Sequence, residues 1–302
     1  TKDLSGLLKP YAARELVLAL KDAVKIPIHL HTHDTSSLQP ATYLTAIDAG
    51  VDVVDCAIGS LSGLTSQPNF NAIVEMMRFH ERENPYDIKS LNQFSDYWAA
   101  VREYYYPFES GLKASAADVF QHEIPGGQYS NLKPQAIALG LGDKFQQIKD
   151  MYAEVNEMFG DIVKVTPSSK VVGDMAQFMV ANDLTPDDVY TKGMNISFPE
   201  SVRQFFLGEL GQPEGGFPEQ LQKIILKDKT PITERVGKSI PPVDFDKELQ
   251  EFRAKFGEDL TLCDFLSYSF YPKVFEEGLK FWREFGNVSV VPTPLFYYGM
   301  KM

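Results

Sequence analysis

Two short β-like runs, Ile26 to His31 and "VDVVDCA" from Val51 to Ala57, stand one helix-length apart, and that spacing constrains the fold most. The second run is nearly continuous in apolar residues, as in a parallel strand covered on both faces. A parallel neighbour needs a crossover, usually a helix, and "QPATYLTAIDAG", closed by Gly50, supplies one. Ahead of both, "PYAARELVLALKDAV" (Pro10 to Val24) starts with Pro and sets Leu16, Leu20 and Val24 at helical spacing. After them, the loop "IGSLSGLTSQPN" leads to a predicted helix from Phe70 to about Arg82. This alternation predicts βα units on a parallel sheet, either an open sheet or the end of a (β/α)₈ barrel.

Beyond about Ser90 the strand patterns give way to helical ones. Predicted helices cover Leu91 to Tyr106, Lys144 to Phe159, Ser168 to Ala181, Pro199 to Leu210, Pro218 to Leu226, Asp246 to Phe256 and Tyr271 to Phe285. Starts such as "TPSSK", "TPDD" and "FPES" carry an N-cap or a Pro followed by an acid or Ser. A polar, Pro-containing connector, Lys227 to Asp244, precedes the last helices. The expected organisation is therefore βα units over residues 1–89 and a helical part over 90–302.

A net charge of −12 argues against a nucleic-acid or anionic-membrane partner. Cys56 and Cys263 fit no zinc or disulfide spacing, which suits a reducing cytoplasm. No apolar run approaches the roughly 20 residues of a membrane span. The opening "TKDLSGLLKP" begins mid-pattern without an initiator Met, which predicts a piece of a longer chain.

"PIHLHTHDTSS" holds three of the five histidines at alternate positions. On a strand, His29, His31 and His33 share one face while Ile28 and Leu30 face the packed helices. His31 and His33 fall where the strand runs into its loop, the end at which functional side chains gather in parallel α/β folds. Two imidazoles separated by one residue can converge on one metal, whereas His29 sits deeper and reads as a supporting residue. An anionic ligand is still needed. Asp34 points away if the chain stays extended, Asp3 and Asp55 lie at other strand ends, and the residues alone leave the choice open.

Thr166, before Pro167, reads as an N-cap with Pro at the first helical position. The free amides of that helix end, with Ser168 and Lys170, could also meet a polar or anionic ligand. "HEIPGGQYSNL" (His122 to Leu132) reads as a Gly-rich loop without the context of a nucleotide fingerprint. The aromatics Tyr104, Tyr105, Tyr106 and Phe108 read as core. The closing "GMKM" lacks chain beyond Met302 for a biotinyl domain, so Lys301 reads as the start of a linker.

Taken together, "KDLSGLLKP", "HLHTHDTS", "EIPGGQYSNL" and "KVTPSSKVVGDMAQFMV" resemble the carboxyltransferase domain of the pyruvate carboxylase family, of bacterial type. Transcarboxylase and oxaloacetate decarboxylase subunits share weaker versions and are the alternative. The resemblance implies the C-terminal part of a (β/α)₈ TIM barrel followed by a mostly helical, funnel-like extension. "KDLSG", "HLHTH" and "VDVVDCA" would be the last three barrel strands. A first-strand Asp ligand, and the Arg and Gln that hold pyruvate, would lie outside this chain. It further implies that Lys2, carboxylated on its amine, joins His31 and His33 as ligands of a divalent metal such as Mn²⁺ or Zn²⁺. Thr166 would be the proton-transfer residue, with Ser168 and Lys170 near biotin. The implied reaction moves CO₂ from carboxybiotin to pyruvate. ATP would be used at a biotin carboxylase domain, biotin would ride on a carrier domain, and the assembly would be a cytoplasmic homotetramer.

Overall fold

The computed structural model describes residues 1–288. The chain divides into two compact units, Thr1–Val236 and Gly237–Met302, with the boundary inside the polar connector. Lys301 lies outside the described residues.

The first unit opens with a three-stranded parallel sheet in the order β1 (Lys2–Asp3), β2 (His29–Thr32), β3 (Val53–Val54). The crossovers are α1 (Pro10–Ala23) and α2 (Gln39–Asp48), which pack on each other. β2 starts and ends later than the apolar pattern suggested, because Ile28 pairs through its carbonyl with Asp52 and Val53 while Ile26 stays 70% exposed. Period-2 alternation holds: Ile28, Leu30 and Thr32 are buried, and His29, His31 and His33 are not. The covered face joins Ala13, Val17, Ile28, Leu30, Tyr43, Ala46, Ile47 and Val51 in one core. On α1 the buried stripe is Ala13 and Val17, with Leu16 and Leu20 half-buried beside it.

The predicted helix from Phe70 is shorter than expected. α3 (Phe70–Met76), capped by Asn69, gives way to turns in which Phe79 takes a left-handed φ of 65°. Asp87 caps α4 (Ile88–Arg102), earlier than predicted, and a 3₁₀ turn, Glu103–Phe108, follows. The aromatic run there is not core: Tyr104 is 50% and Phe108 71% exposed, on a short 3₁₀ element that contains Pro107.

A second correction concerns "HEIPGGQYSNL". It forms the end of α5 (Val119–His122) and the start of α6 (Gly126–Ala138), not a loop. Gly126, Tyr129, Leu132 and Ala136 make a buried helical stripe that the glycines obscured. α7 (Phe145–Met158) and α8 (Ser168–Ala181) pack on each other. Phe145, Ile148, Tyr152 and Val155 on one meet Val172, Met175, Ala176 and Met179 on the other in a single apolar cluster. Gly173 permits close approach of α6, since a Cβ there would meet Gln128 Nε2 at 2.7 Å. α9 (Pro186–Lys192), with a Thr185–Asp188 capping box, α10 (Glu200–Leu207) and α11 (Glu219–Leu226) complete the cluster.

The second unit is a helical assembly of its own. α12 (Phe245–Phe256), α13 (Leu262–Phe270) and α14 (Pro272–Phe285) enclose Phe252, Leu260, Phe265 and Leu279. Thr261 and Asp264 form the capping box that starts α13. Among the described residues, no helix is long and apolar enough to cross a membrane, and Cys56 and Cys263 are free thiols.

Candidate active site

The site begins as a row across the sheet. Lys2 is the register partner of His31, so the two share a face of adjacent strands. The pairing of β2 with β3 sets Val53 beside His29 and Val54 beside Leu30, which carries Asp55 to the level of His31. Asp55 then takes two of the three histidines: His29 Nε2 donates to its Oδ1 at 2.6 Å, and His31 Nδ1 to its Oδ2 at 2.8 Å. A carboxylate only accepts, so His31 donates from Nδ1 and its Nε2 is the nitrogen turned away from Asp55. Burial pulls the Asp55 carboxyl up, but the bonds from His29 and His31 outweigh it and hold the group below its ordinary value.

His33 is oriented the same way by a different acceptor. Its Nδ1 donates to the Thr65 carbonyl at 2.5 Å, and its ring meets that of His31 edge-on, centroids 5.1 Å apart. Burial lowers the His33 pKa, so the ring is neutral near pH 7 with its lone pair on Nε2. The Nε2 contact to Gln67 Nε2 is a long 3.5 Å. Each imidazole is thus fixed by a hydrogen bond through Nδ1, the arrangement in which histidine ligates metals through Nε2.

The other acids are committed elsewhere. Asp3 accepts the N–H groups of Gly6, Leu7 and Leu8 and the Thr32 hydroxyl, which turns the chain out of β1. Asp34 is buried, accepts the Gln39 N–H, and has its pKa raised by desolvation. Among the described residues, no three His, Cys, Asp or Glu side chains are placed to hold a metal by themselves. Lys2 is exposed on the same face as His31, and no hydrogen bond or ion pair engages its amine among the described residues. Lys2, His31 and His33 thus come to one face, with Asp55 behind His31.

Gly126 explains why a Gly-rich motif belongs to this site. A Cβ there would stand 2.6 Å from His33 Nδ1 and 2.7 Å from the Thr65 carbonyl, on top of their hydrogen bond. The Gly126 N–H donates to the Leu4 carbonyl at 2.8 Å, and the Ser130 and Thr65 hydroxyls lie 2.9 Å apart, so α6 seats on the histidine strand. Gly126→Ala is expected to displace the His33 ring and destabilise the protein by about 1–3 kcal/mol. Urea unfolding would check this; unchanged stability would show that the ring has room to move.

Thr166 sits apart from the cluster, on the segment between α7 and α8. It does not cap α8: Pro167 takes the N-cap position, and no side chain caps the first turn. The segment instead folds around the Ser168 hydroxyl, which bonds the Val163 carbonyl at 2.7 Å and the Val165 carbonyl at 2.6 Å. Thr166 is exposed and its hydroxyl has no hydrogen bond among the described residues. Lys170 points to Asp174, 2.5 Å away, which also accepts from Ser201. No direct bond joins Thr166 to the histidines among the described residues.

A family profile described as "Conserved carboxylase domain" matches residues 119–302. The chain belongs to the conserved carboxylase domain family. An "HMGL-like" profile matches residues 2–97, the part that carries the histidine strand. Pyruvate carboxylase of Bacillus subtilis (strain 168) is 50% identical over 301 residues, covering 100% of this chain and 26% of the relative. Pyruvate carboxylase 1 of Caenorhabditis elegans is 46% identical over 304 residues, again 26% of its length. The chain thus spans about a quarter of the length of these curated relatives. Among solved structures, the carboxyl transferase domain from Rhizobium etli pyruvate carboxylase superposes with a TM-score of 0.94 at 50% identity, covering 99% of this chain and 50% of that one. The same domain with pyruvate and biocytin gives 0.95, over the same shares.

His122, at the entry to the Gly126 turn, was not singled out by the sequence. It is 3% exposed, its Nδ1 accepts the Ile124 N–H at 3.0 Å, and its Nε2 has no hydrogen-bond partner. Burial drives its pKa down to about 4 from 6.5, so the unfolded chain binds more protons between those values. Stability is therefore expected to fall as pH drops through that window, by at most about 3 kcal/mol from this residue. Urea unfolding at about pH 7 and pH 4.5 measures it, and His122→Gln should flatten the dependence.

Proposed function

We propose that this chain is the carboxyltransferase part of a biotin-dependent pyruvate carboxylase, in which CO₂ passes from carboxybiotin to pyruvate to give oxaloacetate. The observation that carries the reading is the superposition of 99% of this chain, at 50% identity, on half of a domain solved with pyruvate and biocytin. On this reading β1, β2 and β3 are the last strands of a (β/α)₈ barrel, residues 1–89 its final βα units and residues 90–302 its helical extension. Their carboxyl ends, where His33 and Asp55 lie, would face the barrel mouth.

Lys2 as a carbamate, His31 and His33 would hold a divalent metal, Mn²⁺ or Zn²⁺. Such an ion supplies positive charge that stabilises an enolate electrostatically. Asp55 holds the His31 tautomer, and the Thr65 carbonyl that of His33. Thr166 Oγ would take a proton from the pyruvate methyl and pass its own to the biotin ureido nitrogen once CO₂ has left it. A neutral hydroxyl suits this relay because it accepts and donates without ionising. The pyruvate enolate then captures CO₂ as oxaloacetate. Ser168 would keep the relay segment in shape beside biotin, and Lys170 would lie near the same ligand. Biotin carboxylase and biotinyl carrier domains of the same enzyme would deliver carboxybiotin, in a cytoplasmic homotetramer; the complete multifunctional pyruvate carboxylase from Rhizobium etli matches over 29% of its chain.

The test is oxaloacetate formation from pyruvate by the protein as encoded, with ATP present and then withheld. ATP-dependent synthesis supports the carboxylase. ATP-independent loss of CO₂ from added oxaloacetate, without synthesis, would instead assign a decarboxylase subunit.

A further inference from the structure

Glu123 occupies a backbone conformation that glutamate seldom adopts. Its φ is 56°, the left-handed region in which a Cβ is crowded and Gly or Asn is usual. Its side chain and its carbonyl are both engaged by other segments. Its Oε2 accepts from Lys164 Nζ at 2.7 Å, and the Lys164 side chain is only 10% exposed. The Glu123 carbonyl accepts from the Ser5 hydroxyl at 2.8 Å. Three residues on, Gly126 binds the Leu4 carbonyl and closes on the His33 ring. Glu123 thus joins the end of the strand carrying Lys2, and the turn against His33, to a lysine two residues before Thr166.

We propose that the Glu123–Lys164 ion pair is the brace that sets the Thr166 hydroxyl relative to the histidine site, so that both are positioning residues for proton transfer. This rests on the reading of Thr166 as the proton relay. The Ser168 bonds fix the shape of residues 163–168 but not their place, because their partners lie within the same segment. Lys164 is the residue of that segment whose side chain is tied to the motif before α6. A relay must meet donor and acceptor at roughly 2.6–3.2 Å, and a misplacement of about 1 Å can cost 10²-fold in rate.

The test uses the protein as encoded and the double variant Glu123→Gly plus Lys164→Met, which removes the pair without leaving a buried charge and relieves the left-handed residue. The expected result is a kcat for oxaloacetate formation at least about tenfold lower, with KM for pyruvate within about twofold and with metal content and Tm unchanged. The reversed pair, Glu123→Lys plus Lys164→Glu, should regain most of that kcat. Thr166→Ala is assayed in parallel. If Thr166→Ala is inactive but the double variant keeps its kcat, the brace is refuted while the relay stands. A loss of kcat that tracks lost metal or Tm, with no recovery on reversal, refutes it as well. An active Thr166→Ala overturns the relay and the brace together.

Discussion

Thr166→Ala in the protein as encoded is expected to lower oxaloacetate formation by about 10²–10⁴-fold, the span general acid–base groups contribute. ATP-dependent carboxylation of biotin should continue at the wild-type rate. The expected separation follows from where the residue stands. Its hydroxyl has no hydrogen bond among the described residues, its side chain is exposed, and α8 begins without it as a cap. Removing the hydroxyl therefore takes away no contact that holds the fold, and Tm should stay within a degree or two of wild type, since exposed substitutions of this kind shift stability by only about 0.5 kcal/mol. Thr166→Ser keeps a hydroxyl that both accepts and donates, so it should recover much of the rate where Thr166→Val, equal in size, should not. Normal pyruvate carboxylation by Thr166→Ala would remove the residue from the mechanism.

How far the site could be read in advance differs residue by residue. The histidine face was legible because side chains of an extended chain alternate with a period of 2 whatever surrounds them. The role of Asp55 was not, since it depends on the register between β2 and β3, which no local pattern fixes for strands this short. Gly126 carried a signal that was misread. Two glycines ahead of a polar stretch look like a loop, yet Tyr129, Leu132 and Ala136 continue at helical spacing behind them. The glycine is there for tertiary approach to His33 rather than for a turn. At Thr166 the Thr-Pro pair suggested a cap, but Pro167 itself takes the cap position and the Ser168 hydroxyl organises the turn, a competition that local hydrogen bonding decides. α13 was overlooked although "TLCD" spells the Thr261–Asp264 capping box, because its apolar residues spread over more than one helical face and blur the period. The aromatic run after α4 was assigned to the core on composition alone, and composition does not say which layer is available to cover it.

The proposed metal site should respond in graded fashion to losing a proposed ligand and losing what stands behind it. His31→Ala removes an imidazole whose Nε2 is open and whose ring is already fixed, so bound metal in the purified protein should fall close to zero, with oxaloacetate formation falling alongside. Asp55→Asn leaves both imidazoles in place but substitutes an amide for the shared acceptor. Two histidines donate to that group at 2.6 and 2.8 Å. An amide has a single acceptor oxygen to offer them, and its NH₂ would face a ring nitrogen that already bears a hydrogen. One histidine must then turn or change tautomer. If it is His31, its hydrogen moves to Nε2 and the lone pair is lost from the ligating position. The expected outcome is metal affinity lower by about 10–100-fold, the range for removing such an outer partner, and restored by excess metal, which His31→Ala is not. Chelator competition followed by elemental analysis measures both variants on one scale. His29→Ala is the internal control: it frees one oxygen of Asp55 without touching the His31 bond, and it should hold metal at close to the wild-type level. Equal losses from Asp55→Asn and His29→Ala would mean that His29 belongs among the ligands, and the division between a supporting histidine and a ligating pair would have to be abandoned.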